Sequence, residues 1–455
     1  MRRVLLIQPP IEDFYTTPIR LYPLGLVYVA RVFELLGFEV KILDCLTPLK
    51  KTRIPLPEKF SYLQPYLDNP YFFKQYWRFG WPLEKIITRV REFSPDLIGI
   101  SCSFAAYYRS VDELVRALKT KFSIPIILGG NQATCASEGI KVRTPEIEAV
   151  IRGQAEISLP VYLRENYAEK SSSEEKTAGE SHIDWKDLWP AHHLLNPDYY
   201  RIGKKNYISL QASRGCPHHC SFCNVHLVFG RKIEYRTIAS ILQEMRWNYL
   251  QRQVRIFNFE DDNLAFDREW FVEFLQAVSR DKLLEGIELT FMNGLSYENL
   301  DEDILWLMRQ AGVRKLDLAW VSGNPTLRQK FHRPQKKDET EFMKLLQTAR
   351  KLGFFVTVYL ILGLPGQTKE EIVETTEKLL ELDLLVGPSV FYLTPGCELH
   401  RSLNLPVELK DDWDMYRSTA FAVETEELKR KDLIELFLYI RKRNLEKRFG
   451  KMAAI

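Results

Sequence analysis

The chain has 455 residues, 45% of them hydrophobic and 27% charged, with 63 Lys and Arg against 60 Asp and Glu. A net charge of +3 over that length is too balanced to argue for a nucleic-acid or membrane partner, and no run reaches the 18 apolar residues of a membrane span. Seven cysteines, an odd number in so long a chain, fit a multidomain enzyme of the reducing cytoplasm better than a disulfide framework.

In chain order, "MRRVLLIQPP" carries no cleavage-site pattern and reads as a first strand. "PLGLVYVARVFELLG" has apolar residues at helical spacing and stops at Gly37, and "FEVKILD" is again strand-like. "DLIGISCSF" predicts a buried strand and "SVDELVRALKTKF" a helix opening on a capping box, Ser110 with Glu113. "IPIILGG" and "EAVIRG" continue the alternation, so residues 1–163 predict an α/β domain, a doubly wound, Rossmann-like parallel sheet. An aromatic, proline-rich insertion at about 46–85 shows no period and reads first as simple packing, with a lid or a domain-packing arm as the alternatives. Residues 164–204 read as a linker whose first half, "RENYAEKSSSEEKTAGESH", is polar and aperiodic.

From 205 a second series begins, with strands "YISLQA", "VRIFNFE", "IELTFMN", "RKLDLAWV", "FVTVYLIL" and "PSVFYLT". Two of the intervening helices end in a glycine, Gly312 and Gly353, and another opens on Thr368 with Glu371 three residues on. Six βα units over 205–407 predict a partial (βα)6, TIM-like barrel, followed at 408–455 by a charged, helical C-terminal subdomain.

"SRGCPHHCSFCNVH" follows the first strand of that series and places Cys216, Cys220 and Cys223 as CxxxCxxC. At a barrel rim such a loop lies where βα folds keep their chemistry. One reading is a zinc site closed by His226, a stabilised scaffold without catalysis. Another is an iron–sulfur cluster, in which three thiolates leave one iron open to a further ligand.

CxxxCxxC with an aromatic residue, Phe222, before the last cysteine resembles the radical S-adenosylmethionine (SAM) enzymes. The resemblance implies a [4Fe–4S] cluster on Cys216, Cys220 and Cys223, with SAM chelating the fourth iron. It implies reductive SAM cleavage to a 5′-deoxyadenosyl radical, fed by an electron donor such as flavodoxin or ferredoxin. Carried along the barrel strands, it assigns SAM contacts to Phe222, Asp261, Asp262, Asn293, Ser322 and Gly363. Val321 stands where many relatives have Glu before the serine.

A doubly wound domain ahead of such a barrel resembles the cobalamin-binding class of the family, which assigns cobalamin contacts to Ser101, Ser103, Gly129 and Gly130. "GQAE" at 153–156 looks like a drifted Gly-Glu-Gly-Glu turn, and the DxHxxG motif that gives cobalt a histidine is absent. Together the two resemblances imply an enzyme that methylates an unactivated carbon of a small-molecule substrate, with no catalytic residue assigned. The alternatives are a radical cyclisation, oxidation or rearrangement without methyl transfer, and a methylthiotransferase with a second cluster. Cys45, Cys102 and Cys135 would have to hold that cluster, and they read better as buried thiols.

Overall fold

A computed structural model describes residues 2–18, 21–167, 183–333 and 336–452. The chain divides into two compact units, one of residues 1–54, 76–200 and 224–230, the other of 55–75, 201–223 and 231–455.

The first unit is built on five parallel strands: β1 (Arg3–Gln8), β2 (Glu39–Asp44), β3 (Leu97–Ser101), β4 (Ile126–Gly129) and β5 (Ala149–Ile151), in the order β2-β1-β3-β4-β5. Val4 to Ile7 are almost wholly buried, as expected of a parallel strand covered on both faces. The order reverses between β1 and β3, and strand C-termini at such a switch point form the ligand crevice of open α/β sheets. The helix after β3 runs Tyr108–Lys119, two residues earlier than predicted, so Ser110 lies buried inside it and does not cap it. Tertiary burial of Tyr108, Val111 and Leu114 outweighs the local Ser-x-x-Glu signal.

The aperiodic insertion has two fates. Lys51–Arg53 and Trp77–Phe79 join Ile11–Asp13 in a small antiparallel sheet within the first unit. Residues 55–75 belong to the second unit, where Phe72 stacks on Phe421 at 5.7 Å and Phe73 meets Phe437 at 5.3 Å. Burial of each such phenyl ring is worth about 1.5–3 kcal/mol, so the insertion is a packing arm of the barrel unit. The predicted linker is structured at both ends: residues 164–167 finish the helix Ala155–Tyr167, and 183–200 pack with the first unit. Its polar centre, 168–182, lies outside the described residues.

The second unit carries β6 (Lys205–Leu210), β7 (Val254–Phe259), β8 (Glu288–Thr290), β9 (Lys315–Trp320), β10 (Phe355–Leu362) and β11 (Leu385–Val390). All pair in parallel; the sets β6-β7-β8 and β9-β10-β11 are joined by the bridges Leu289–Val313 and Leu295–Leu318. This is the six-strand open barrel, and both edges are covered. Arg201–Ile202 pairs antiparallel with β6. At the other edge Asn444, on the helix Arg430–Met452, donates to Val386 O at 2.7 Å and accepts from Val386 N at 3.0 Å. A side-chain amide thus stands in for a neighbouring strand, which blunts an edge otherwise open to pairing. The C-terminal helix packs on β11 as part of the same compact unit.

Candidate active site

β6 leads into the cysteine loop through Ser213–Arg214, which pairs antiparallel with Glu234–Tyr235 and closes the excursion 215–233 at its base. Asp261, just past β7, accepts from Ala212 N at 3.0 Å, from Ser213 Oγ at 2.6 Å and from Ser213 N. On the other side Arg236 N donates to Ala212 O at 2.8 Å. Both strands at the base are therefore held before the first cysteine is reached.

Within the loop Cys220 is buried, and Cys216 and Cys223 are half-buried. Ser221 N donates to Phe331 O at 3.3 Å, Ser221 O accepts from Leu399 N at 2.8 Å, and Cys223 N donates to Cys220 O at 3.0 Å. Two side chains aim donors at sulfur: Asn263 Nδ2 lies 3.7 Å from Cys216 Sγ, and Arg333 Nη1 lies 3.5 Å from Cys220 Sγ. Donors at sulfur favour the thiolate that an iron–sulfur cluster takes, so the three residues and their surroundings fit such a group. Burial pushes the Cys216 thiol up, against hydrogen bonds from His218 N–H and Asn263, so deprotonation there calls for the charge of a bound metal. His226, the fourth ligand of the zinc reading, lies in the segment 224–230, which groups with the first unit. His218 is held down at about 4 by burial and by the charges of Arg333 and Lys336, and stays neutral at pH 7.

The remaining predicted SAM positions divide by how occupied they are. Asp261 is buried and committed to the loop base; burial raises its carboxyl to about 7 despite the Ser213 and Ala212 bonds. Its neighbour Asp262 stands at the same strand end, just past β7. Ser322 is buried, donates to Glu371 and accepts from Asn324 N at 2.9 Å, the work of a turn. Asn293 is exposed, and Phe222 is half-buried at 6.4 Å from the Phe331 ring. Gly363 takes φ of +93° and faces the final helix, where a Cβ would come within 2.9 Å of Leu433; its N–H donates to Gln367 Oε1 at 2.9 Å.

The sequence reading missed Asn263, Arg333 and a polar ladder across β6, β7 and β8. In that ladder Thr290 Oγ1 donates to Asn258 Oδ1 at 3.1 Å, Asn258 Nδ2 to Ser209 Oγ at 3.3 Å, and Ser209 Oγ to Glu260 Oε1 at 2.6 Å. The signal was present as polar residues at alternate positions of otherwise apolar strands. Arg333 was marked only by the basic run around it.

In the first unit the β3 and β4 ends come together. Ser101 Oγ lies 3.3 Å from Ser103 Oγ, and Cys102 N donates to Gly129 O at 2.7 Å. Gly130 is exposed with φ of +118° and ψ of −179°, a region open in practice to glycine alone, and a Cβ there would lie 2.7 Å from Cys102 O. Thr134 Oγ1 accepts from Gly153 N at 3.0 Å, bringing the "GQAE" turn to the same edge. A bare backbone ledge beside two hydroxyls fits a nucleotide tail such as that of cobalamin. The loop after β1 has no histidine between 9 and 18 to offer cobalt. Gly130→Val is expected to lower cobalamin retained per chain, since a side chain there covers the bare ledge and shifts the loop away from Cys102 O; iron content should not change, and cobalamin assay beside iron assay checks it.

Cys45 and Cys102 are fully buried; burial pushes both thiols up, that of Cys102 to about 12, so they remain protonated small apolar groups. Cys135 accepts from Asn224 Nδ2 at 3.2 Å. Asp44, at the end of β2, is raised from 3.8 to about 6 by burial, against bonds from Tyr200 O–H, Leu46 N–H and Thr47. The folded state therefore holds this proton more tightly than the unfolded chain. The group's contribution to stability is largest below 3.8 and is lost as pH rises through 6. Asp44→Asn should flatten that component, read as a smaller change in Tm between those pH values than in the parent.

Residues 210–379 match the radical SAM superfamily and residues 62–163 the B12 binding domain; β1 and β2 precede the second match in the same sheet. Cytidylyl-2-hydroxyethylphosphonate methyltransferase of Streptomyces wedmorensis is 26% identical over 429 residues, 82% of this chain and 75% of that protein. Anaerobic magnesium-protoporphyrin IX monomethyl ester cyclase of Cereibacter sphaeroides is 22% identical over 374 residues, 77% of this chain and 60% of that one. The radical SAM methyltransferase TsrM from Kitasatospora setae, solved with tryptophan substrate and a SAM analog, aligns with a TM-score of 0.64 at 16% identity, covering 96% of this chain and 89% of that one. The likeness to TsrM is one of fold.

Proposed function

We infer, for a chain that belongs to the radical SAM superfamily and carries a B12-binding domain, that it methylates an unactivated carbon of a small molecule. It would use a [4Fe–4S] cluster, SAM and cobalamin. The observation that carries the reading is the cysteine loop with amide and guanidinium donors on its sulfurs, in one chain with the Gly129–Gly130 ledge, exposed at Gly130. When bound, the cluster and SAM supply a hydrogen-abstracting radical and cobalamin supplies the methyl group.

The residues of the chain bind and position. Cys216, Cys220 and Cys223 hold the cluster, while Asn263 and Arg333 stabilise negative charge on two of the sulfurs. Asp262, just past β7, is suited to a cationic amino group of SAM, while Asp261 beside it holds the loop base. Phe222 and Asn293 are further candidates for SAM contact, while Gly363, turned to the final helix, and Ser322 act through the turns they shape. The ladder ending at Glu260 gives the barrel interior a polar wall against which a hydroxyl or amine of the substrate can be oriented. No helix among the described residues is long and apolar enough to cross a membrane; an oxygen-sensitive cluster suits the reducing cytoplasm.

The experiment is anaerobic reconstitution with iron, sulfide and hydroxocobalamin, then desalting and absorption spectroscopy. About one cobalamin per chain beside the brown cluster, and S-adenosylhomocysteine formed on turnover, support methyl transfer. A brown, corrin-free protein overturns it. Bound corrin with no S-adenosylhomocysteine favours a rearrangement or cyclisation, the chemistry named for the Cereibacter relative.

A further inference from the structure

The barrel lumen has two unlike walls, and the packing outside it shows which side chains form them. Trp320 on β9 stacks on Phe342 of the helix Glu339–Lys351 at 4.2 Å, and Phe259 on β7 meets Phe274 of the helix Arg268–Arg280 at 5.3 Å. The alternate residues of these strands therefore point inward. On β6–β8 the inward row is Ser209, Asn258 and Thr290, neighbours in register. On β9–β11 it is Ala319, Tyr359 and Gly387, again in register.

The polar row has a direction. A backbone N–H can only donate, and that of Met292 meets Asn258 Oδ1 at 3.1 Å. The amide nitrogen of Asn258 is thus turned to Ser209 Oγ at 3.3 Å, and the Ser209 hydrogen goes on to Glu260 Oε1 at 2.6 Å. Glu260, one row nearer the strand ends, is the acceptor on which these donors converge. A carboxylate there draws hydrogen-bond donors and repels anions.

On the other wall the Tyr359 ring lies against the backbone of Gly387. A Cβ at 387 would stand 2.5 Å from Tyr359 Cδ1 and 2.7 Å from Cε1, although Gly387 sits within a strand. The missing side chain is space for the ring. On the other side of Tyr359, Ala319 carries only a methyl group. The three residues of this row are half-buried, whereas the outward-facing Leu318, Val358, Leu360 and Val386 are buried. Beneath the row, the ion pair Lys315–Asp317 at 3.0 Å, with Thr357 on Asp317, forms the floor.

We propose that the substrate carries a hydrogen-bond-donating head, an amine or a hydroxyl, that is held at Glu260, and a flat apolar body that lies on the Tyr359 ring. Gly387 keeps the ring back so that the body can enter, which makes Tyr359 and Gly387 specificity-determining residues. The inference rests on the reading of this barrel as the site of methyl transfer.

The test measures binding to the reconstituted full chain by titration calorimetry, with SAM present and reductant withheld. The probes share a phenyl ring and a two-carbon arm: 2-phenylethylamine, 2-phenylethanol and 3-phenylpropionate. The first two should bind at least about tenfold more tightly than the third, and Glu260→Gln should close that gap. Their order tells an amine site from a hydroxyl site. Gly387→Ala should weaken all three at least about tenfold by driving the ring into the lumen, and Gly387→Ala/Tyr359→Leu should recover most of that loss. Equal binding of the three probes, binding of none, or parental affinities in Gly387→Ala would overturn the assignment. So would a double variant no better than Gly387→Ala, which would make the loss one of folding. Cluster absorbance, and 5′-deoxyadenosine after reductant is added, are read on the same samples. A parent without either brings down the function proposed above, while a wrong probe order beside an intact cluster brings down the lumen assignment alone.

Discussion

Serine in place of Cys216, Cys220 or Cys223, singly, is expected to remove the cluster and with it all SAM cleavage. A hydroxyl is a hard, weakly acidic ligand where a soft thiolate is wanted. The surroundings of the loop do not compensate: burial already raises the Cys216 thiol, and the donors from Asn263 and Arg333 help only a group that ionises. Iron per chain should fall from about four to below one, the brown absorbance should vanish, and 5′-deoxyadenosine should fall below detection. The fold should survive, since the loop base is held by Asp261 and Arg236 and not by the thiols. Circular dichroism separates the two effects. SAM cleavage persisting in all three variants would end the radical reading.

The second large effect lies beneath that loop. Arg236 and Glu244 form an ion pair at 2.5 Å, with side chains 0% and 1% exposed. The guanidinium also donates to Gln211 O at 3.2 Å and to Ser240 Oγ at 3.0 Å. Glu244→Ala leaves a cation without its counter-charge in the interior, a change that costs about 3–5 kcal/mol. Replacing both, as Arg236→Met with Glu244→Leu, should recover most of that loss, because the pair's attraction is largely offset by its desolvation. Denaturant unfolding of the single and double variants, monitored through the cluster absorbance, checks the expectation. A Glu244→Ala protein as stable as the parent would show that the charge is not buried in solution.

The parts of the fold legible in the sequence were those with repeated local signals. Apolar strand-like runs between helices placed all six barrel strands, and Gly312 and Gly353, both at positive φ, mark the helix ends as expected. Thr368 caps its helix, accepting from Glu371 N at 3.2 Å. What was not legible depends on residues far apart in sequence. Ser110 resembles a cap until Tyr108 is buried; residues 55–75 look aperiodic until Phe421 and Phe437 supply their partners. In the site, cysteine spacing marks the proposed ligands, but Asn263 and Arg333 come from other loops, 47 and 113 residues from the sulfurs they face. Asp261 and Asp262 are equivalent in a string of letters; only the backbone of Ala212 and Ser213 tells them apart.

The aromatic arm at 55–75 and the short segment 224–230 each belong to the unit that the flanking sequence does not. The chain thus crosses between its two units repeatedly, and neither unit is a continuous stretch of the gene. A cut at any single codon would deprive the barrel unit of Phe72 and Phe73, or the other unit of the residues that directly follow Cys223. Exchanging one unit and leaving the other whole would take a cut at each of these crossings, so a single splice replaces neither unit alone.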